Sequence, residues 1–167
     1  PDPNDIYTAY AESQGGNINR INLVNTKAVN IKPQQAPGEE KLRWNWNTPI
    51  VFGAANKKNL YMASQYLYKS VDQGRNWIRI SPDLTTNDKK KQEQESSGGL
   101  SADNTSAENH CTIFTMAESP LDEKLIWAGT DDGNLQNTTD AGKTWTNVAA
   151  NYKNAGIPEQ TWISSLE

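Results

Sequence analysis

One eight-residue pattern, written twice, constrains this chain more than any other feature. Ser70-Val71-Asp72-Gln73-Gly74-Arg75-Asn76-Trp77 returns 68 positions later as Thr138-Thr139-Asp140-Ala141-Gly142-Lys143-Thr144-Trp145. Both copies read [Ser/Thr]-x-Asp-x-Gly-x-x-Trp, and both follow a leucine three residues upstream, Leu67 and Leu135. These residue types spell a strand, a tight turn and a second strand. An Asp carboxylate accepts hydrogen bonds from the N–H groups of its own turn, and the Ser or Thr hydroxyl joins that local network. Glycine takes a positive φ without steric cost. The Trp then enters the next strand and buries a large ring against a neighbouring sheet. Ser70, Asp72, Gly74, Trp77, Thr138, Asp140, Gly142 and Trp145 are thus expected to serve the fold.

The repeat reaches upstream of the turn. Asn59-Leu60-Tyr61-Met62-Ala63-Ser64 parallels Leu125-Ile126-Trp127-Ala128-Gly129-Thr130, and Asp2-Pro3-Asn4-Asp5-Ile6-Tyr7-Thr8-Ala9 gives a third copy. In that first unit Asn25-Thr26 stands where the Asp turn would lie, so the copy is degenerate. Apolar strands, Pro49 to Phe52 and Cys111 to Met116, precede the second and third units, and Thr161 to Leu166 looks like the first strand of a fourth. Each unit reads as about four short strands, the blade of a β-propeller. The expectation is an all-β chain of about three blades. It places a degenerate blade at 1–42, full blades at 43–86 and 109–150, a polar insertion at 87–108, and the start of another blade at 159–167. Three blades do not close a ring, so this is expected to be a trimmed or excised piece of a larger propeller. It would pair with the remaining blades of its parent or associate with itself.

Composition narrows the function classes. The net charge is −4 and the longest basic run is Lys89-Lys90-Lys91, so no nucleic-acid face is expected. No apolar stretch is long enough for membrane insertion, and no leader peptide opens the chain. One His and one Cys leave no metal site of the His/Cys type and no internal disulfide, and no cofactor is expected. His110 and Cys111 are adjacent and would point to opposite faces of a strand, a poor nucleophile pair. Cys111 is expected to be a small buried hydrophobe.

The two Asp turns resemble those of Asp-box, or BNR-repeat, propellers. Together with Asn45-Trp46-Asn47-Thr48-Pro49, Ile80-Ser81-Pro82-Asp83-Leu84-Thr85 and Trp127-Ala128-Gly129-Thr130-Asp131-Asp132-Gly133, they resemble the bacterial sortilin-like (VPS10-like) "glycosyl hydrolase" group. That resemblance implies a YVTN/BNR-like fold and an extracellular or periplasmic location. The group includes glycosidases of sialidase and xyloglucanase type. A sialidase-like site needs an arginine cluster, and only four arginines occur, two of them (Arg75 and Arg79) in or beside a repeated turn. No catalytic residue is assigned. Asp131, Asp132, Glu118 and Glu108 are carboxylates that sequence cannot place across a substrate.

The segments leading into each first strand are more informative. Arg43-Trp44-Asn45-Trp46-Asn47, Glu108-Asn109-His110-Cys111 and Glu159-Gln160-Thr161-Trp162 would meet at the rim of a propeller channel. Trp faces beside amide donors suit sugars or peptides. The expected role is therefore non-catalytic binding of a protein or glycan by Arg43, Trp44, Asn45, His110 and Glu159, with Trp46 and Trp162 packing between blades. The alternatives are a glycoside hydrolase whose catalytic residues lie partly outside this segment, and a purely structural scaffold.

Overall fold

The computed structural model describes residues 1–93 and 109–167, and these form three antiparallel sheets and one short helix. The first sheet holds β1 (Thr8–Ser13), β2 (Asn17–Asn22) and β3 (Ala28–Asn30) in chain order. The second holds β4 (Ile50–Phe52), β5 (Leu60–Ala63), β6 (Leu67–Ser70) and β7 (Ile78–Arg79). The third repeats the second with β8 (Ile113–Glu118), β9 (Ile126–Thr130), β10 (Leu135–Thr138) and β11 (Thr146–Asn147). Helix α1 (Ala149–Asn154) follows, although no helical period marks it in the sequence. Each strand pairs with its sequence neighbour, which is how a blade is built from successive hairpins.

Alternation along β5 explains how the sheets stack. Successive side chains on a strand point to opposite faces. Leu60 and Met62 face the first sheet, where they join Ile18, Ile31, Leu42, Trp44 and Tyr68 in one buried cluster. Tyr61 and Ala63 face the third sheet and join Leu67, Leu84, Ile113, Met116, Ile126 and Ala128 in a second cluster. The middle sheet is therefore sandwiched, and no single core serves the whole chain.

The first sheet differs from the expected four-stranded blade. It has three strands, and β1 pairs on one side only among the described residues. By sequence parallel β1 matches β5 and β9, so a counterpart of β4 and β8 is the missing member. The C-terminal segment differs too. Thr161 to Leu166 forms no strand, yet Ile163 N–H donates to Thr130 O at 3.1 Å as Ile113 N–H donates to Ser64 O at 2.9 Å. Its ring contact is Trp162 against Phe114 of β8, centroids 5.3 Å apart. Of the polar insertion, Lys90–Gln92 forms a 3-10 turn, and residues 94–108 lie outside the described residues.

The repeated turn has the same geometry in both copies. Gly74 N–H donates to Ser70 Oγ at 2.8 Å and Gly142 N–H to Thr138 Oγ1 at 3.0 Å. Asp72 Oδ1 accepts from Ser70 Oγ and Asn76 N–H, and Asp140 Oδ1 from Thr138 Oγ1 and Thr144 N–H. Two consecutive residues are left-handed in each turn, Gln73-Gly74 at φ 62° and 77° and Ala141-Gly142 at 62° and 93°. A Cβ on Gly74 would lie 2.5 Å from Ile31 Cδ1, so close approach to the preceding blade also requires glycine there. The Trp that ends each turn reaches back in the same way. Trp77 Nε1 donates to Ile31 O at 2.6 Å, and Trp145 Nε1 to Ile80 O at 3.0 Å.

Candidate binding face

Topology puts the segments ahead of β4 and β8 at the same end as the β1–β2, β5–β6 and β9–β10 turns, while the Asp turns lie at the opposite end. The first of these segments is stitched to its neighbours by buried polar groups. Arg43 N–H donates to Gln65 Oε1 at 2.8 Å, and its guanidinium to Cys111 O at 3.0 Å and Asp83 at 2.5 Å. Glu40, at 3.2 Å, completes the charge balance of a side chain only 8% exposed. Asn45 Nδ2 donates to Thr112 Oγ1 at 2.8 Å and to Asp131 Oδ2 at 3.2 Å.

The two aspartates that follow β9 are latches rather than a free pair. Asp131 accepts from Thr112 N–H at 2.9 Å and Thr112 Oγ1 at 2.6 Å, and burial pushes its carboxyl above the usual range. Asp132 accepts from Thr86 N–H, Thr86 Oγ1 and Thr130 Oγ1 at 2.5–2.8 Å. His110 Nδ1 stands 3.9 Å from Asp131, and its buried Nε2 has no hydrogen-bond partner among the described residues. Cys111 is fully buried, with burial pushing its thiol up to about 11, so it carries no thiolate for chemistry near neutrality.

At the opposite end, Glu118 closes β8 onto the second sheet. Its carboxylate accepts from Ala55 N–H, Asn56 N–H, Asn59 Nδ2 and Tyr61 Oη, the last at 2.6 Å. A carboxylate with four donors on it is a structural clamp, and it is unavailable as a catalytic acid or base. Burial and this carboxylate together push the Tyr61 hydroxyl pKa upward.

Between these stitched segments runs a continuous polar track. Its middle is a groove of ≈ 470 Å³ lined by Gln14, Gly15, Asn17, Lys32, Pro33, Gln34, Gln35, Lys41, Leu42, Trp44 and Asn109. Gln14 and Asn17 carry it into a second groove with Glu12, Ser13, Trp46 and Asn47. Lys41 and Asn109 carry it the other way, into a hollow of ≈ 130 Å³ with Glu40, Arg43, Gln92 and His110. The track rests on the first and second sheets and the connection between them.

The predicted residues are distributed unevenly along it. Arg43 and His110 border the hollow, and Trp44 belongs to the groove wall. Trp44 is not the exposed ring the sequence suggests. It is 4% exposed, stacks on Tyr68 at 6.2 Å between centroids, and sits against Gly16, where a Cβ would clash with its ring. The exposed ring is Trp46, at 52%. The burial of these two is thus the reverse of that expected, and Trp162, also 52% exposed, packs on Phe114 only in part. Asn45 is buried beneath the face, and Glu159 is exposed and lines none of the three hollows. Gln14, Asn17 and Lys32 were not singled out from sequence. The signal for the first two was the Gln14-Gly15-Gly16-Asn17 turn between two alternating strands; nothing local marks Lys32.

Among the described residues no cluster of three or more His, Cys, Asp and Glu side chains would hold a metal ion, and no helix is long and apolar enough to cross a membrane. No protein-family model matches the chain, and no curated protein does. A solved structure does: the GH74 enzyme of Niastella koreensis, a propeller-fold glycoside hydrolase, with a TM-score of 0.52 and 16% identity. The match covers 87% of this chain and 21% of that one, so the chain spans about a fifth of the relative's length. Three sheets of sequential hairpins, stacked face to face and superposing on that enzyme, make this chain part of a β-propeller.

Proposed function

We propose that this chain is a glycan-binding segment of a larger propeller, and that a linear sugar chain lies along the track from Trp46 to His110. The observation that carries the reading is the continuity of the three hollows, which share side chains at each junction. Carboxamides hydrogen-bond sugar hydroxyls as both donors and acceptors, and a half-exposed indole offers a flat apolar face to a pyranose ring. On this reading Trp46 is the stacking platform, while Arg43 and His110 contact the far end. Trp44 and Asn45 act from below by fixing the floor. No catalytic role is assigned, because Asp131, Asp132 and Glu118 are spent on latches.

The test is isothermal titration of the intact chain against a panel of neutral and acidic oligosaccharides. Trp46→Ala should weaken binding by ~1–3 kcal/mol through lost stacking area, with an unchanged melting temperature. Sugar binding undiminished in both Trp46→Ala and Asn17→Ala would sink the proposal. A second reading, that the parent is a glycoside hydrolase with its catalytic residues outside this segment, is favoured by the likeness to a GH74 enzyme. Hydrolysis of a panel glycan by the parent, absent in this segment, would support it. The same proposal includes kinship with Asp-box propellers, for which the two matched turns speak, and an extracellular or periplasmic setting.

A further inference from the structure

We infer that the middle of the track is a subsite for a carboxylate-bearing sugar, a uronic acid, held by Lys32 and Lys41; this rests on the glycan reading above. The protein as a whole is acidic, with a net charge of −4. The central groove departs from that balance. Among the described residues its ionisable side chains are two lysines, its remaining polar side chains are five carboxamides, and no carboxylate lines it.

Lys32 is the informative group. It is half-buried, its Nζ donates to Gly15 O at 2.8 Å, and it stands 5.1 Å over the Trp44 ring. No carboxylate of the described residues pairs with it, and burial alone lowers its pKa. An ammonium withdrawn from water without a counter-ion is destabilised, and an arriving anion relieves that cost. One donor is spent on Gly15 and the ring face takes part of the charge, which leaves donor capacity for a ligand. Lys41, exposed and lining the same groove, makes no ion pair among the described residues. The nearest acids on the track are committed or remote. Glu40 pairs with Arg43 and Lys89, and Glu12 lines the neighbouring groove, where it accepts from Gly16 N–H at 3.3 Å. Two ammonium groups among amides match a sugar carboxylate flanked by hydroxyls; an acidic peptide such as polyglutamate matches the lysines and amides but brings no flat apolar ring face to the Trp46 platform.

The experiment is calorimetric titration of the intact chain with three probes: a galacturonic acid hexamer, the same hexamer with its carboxyls reduced to alcohols, and hexaglutamate. The acid hexamer is expected to bind about five- to tenfold tighter than its reduced form at 50 mM salt. That advantage should shrink at 500 mM salt, where charges are screened within a few ångströms. Lys32→Gln and Lys41→Gln should each reduce the difference between the two sugars. The fold uses the Lys41 carbonyl, which accepts from Gln65 Nε2, and no hydrogen bond of its side chain among the described residues, so its variant decides the matter if Lys32→Gln is poorly folded. Equal binding of both hexamers overturns the subsite and leaves the glycan reading standing. Hexaglutamate binding as tightly as the acid sugar, or neither sugar binding, overturns both.

Discussion

The hydroxyls of Ser70 and Thr138 are fully buried, and each accepts from the N–H of the glycine four residues on. Removing the Ser70 hydroxyl strands a buried N–H, and removing that of Thr138 strands a half-buried one. Ser70→Ala and Thr138→Ala should each lower stability by ~1–2 kcal/mol, and Thr138→Ser should be nearly silent, as read from chemical denaturation. The aspartates of the same turns predict a pH dependence. Asp72 is held at about 2 because hydrogen bonds from Asn76 and Ser70 outweigh its desolvation, and Asp140 at about 2 by bonds from Thr144 and Thr138. Unfolded, both return to about 3.9. Their ionised forms therefore stabilise the fold above about pH 4, and that contribution is lost as the pH falls toward 2. The urea midpoints of the parent and of Asp72→Asn/Asp140→Asn should differ by a constant amount from pH 5 to 7 and converge below 4. The turns were legible in sequence because the partners of their hydroxyls and carboxylates lie within four residues. Glu118 was not, because its donors come from residues 55 to 61, far back along the chain. Glu118→Ala should cost ~3 kcal/mol or more, since it strands four donors at once.

Elements show where alternation is a good guide and where it fails. Strand β5 is buried on both sides, and its two-residue period correctly divides Leu60 and Met62 from Tyr61 and Ala63. The segment from Arg43 to Asn47 is not a strand, so no period tells which of its two tryptophans is inside. Gly16 decides it, by leaving room for the Trp44 ring from another sheet. Trp44→Ala should consequently cost ~3–5 kcal/mol by opening a cavity, whereas Trp46→Ala should leave the melting temperature unchanged. Paired thermal melts of the two variants separate the roles. The blade count was readable because each hairpin carries its own turn residues. The three-stranded first sheet was not, because the second sheet buries only one of its faces, and the sequence of a short strand does not say what lies beyond its edge.

The whole molecule has two dissimilar flanks. The third sheet carries the 161–166 segment, with Ile163 packed over Gly129, while in the first sheet one edge of β1 is unpaired among the described residues. An unpaired strand beside half-buried Ala9 and Ile21 and exposed Ala11 is a template for another chain. Light scattering of the isolated segment should therefore give a mass above that of a monomer, falling when Ala11→Lys places a charge beside that edge. A monomeric mass for the segment, or an oligomer unaffected by Ala11→Lys, would contradict this. The bonds from Trp77 to Ile31 and from Trp145 to Ile80 carry a consequence of another kind: they point one way. In both, the later blade supplies the donor and the earlier one the acceptor, 46 and 65 residues upstream. During synthesis at 5–20 residues per second, each acceptor emerges roughly 2–13 s before its donor. A nascent blade thus meets a neighbour already waiting, and assembly order is written into the direction of a hydrogen bond.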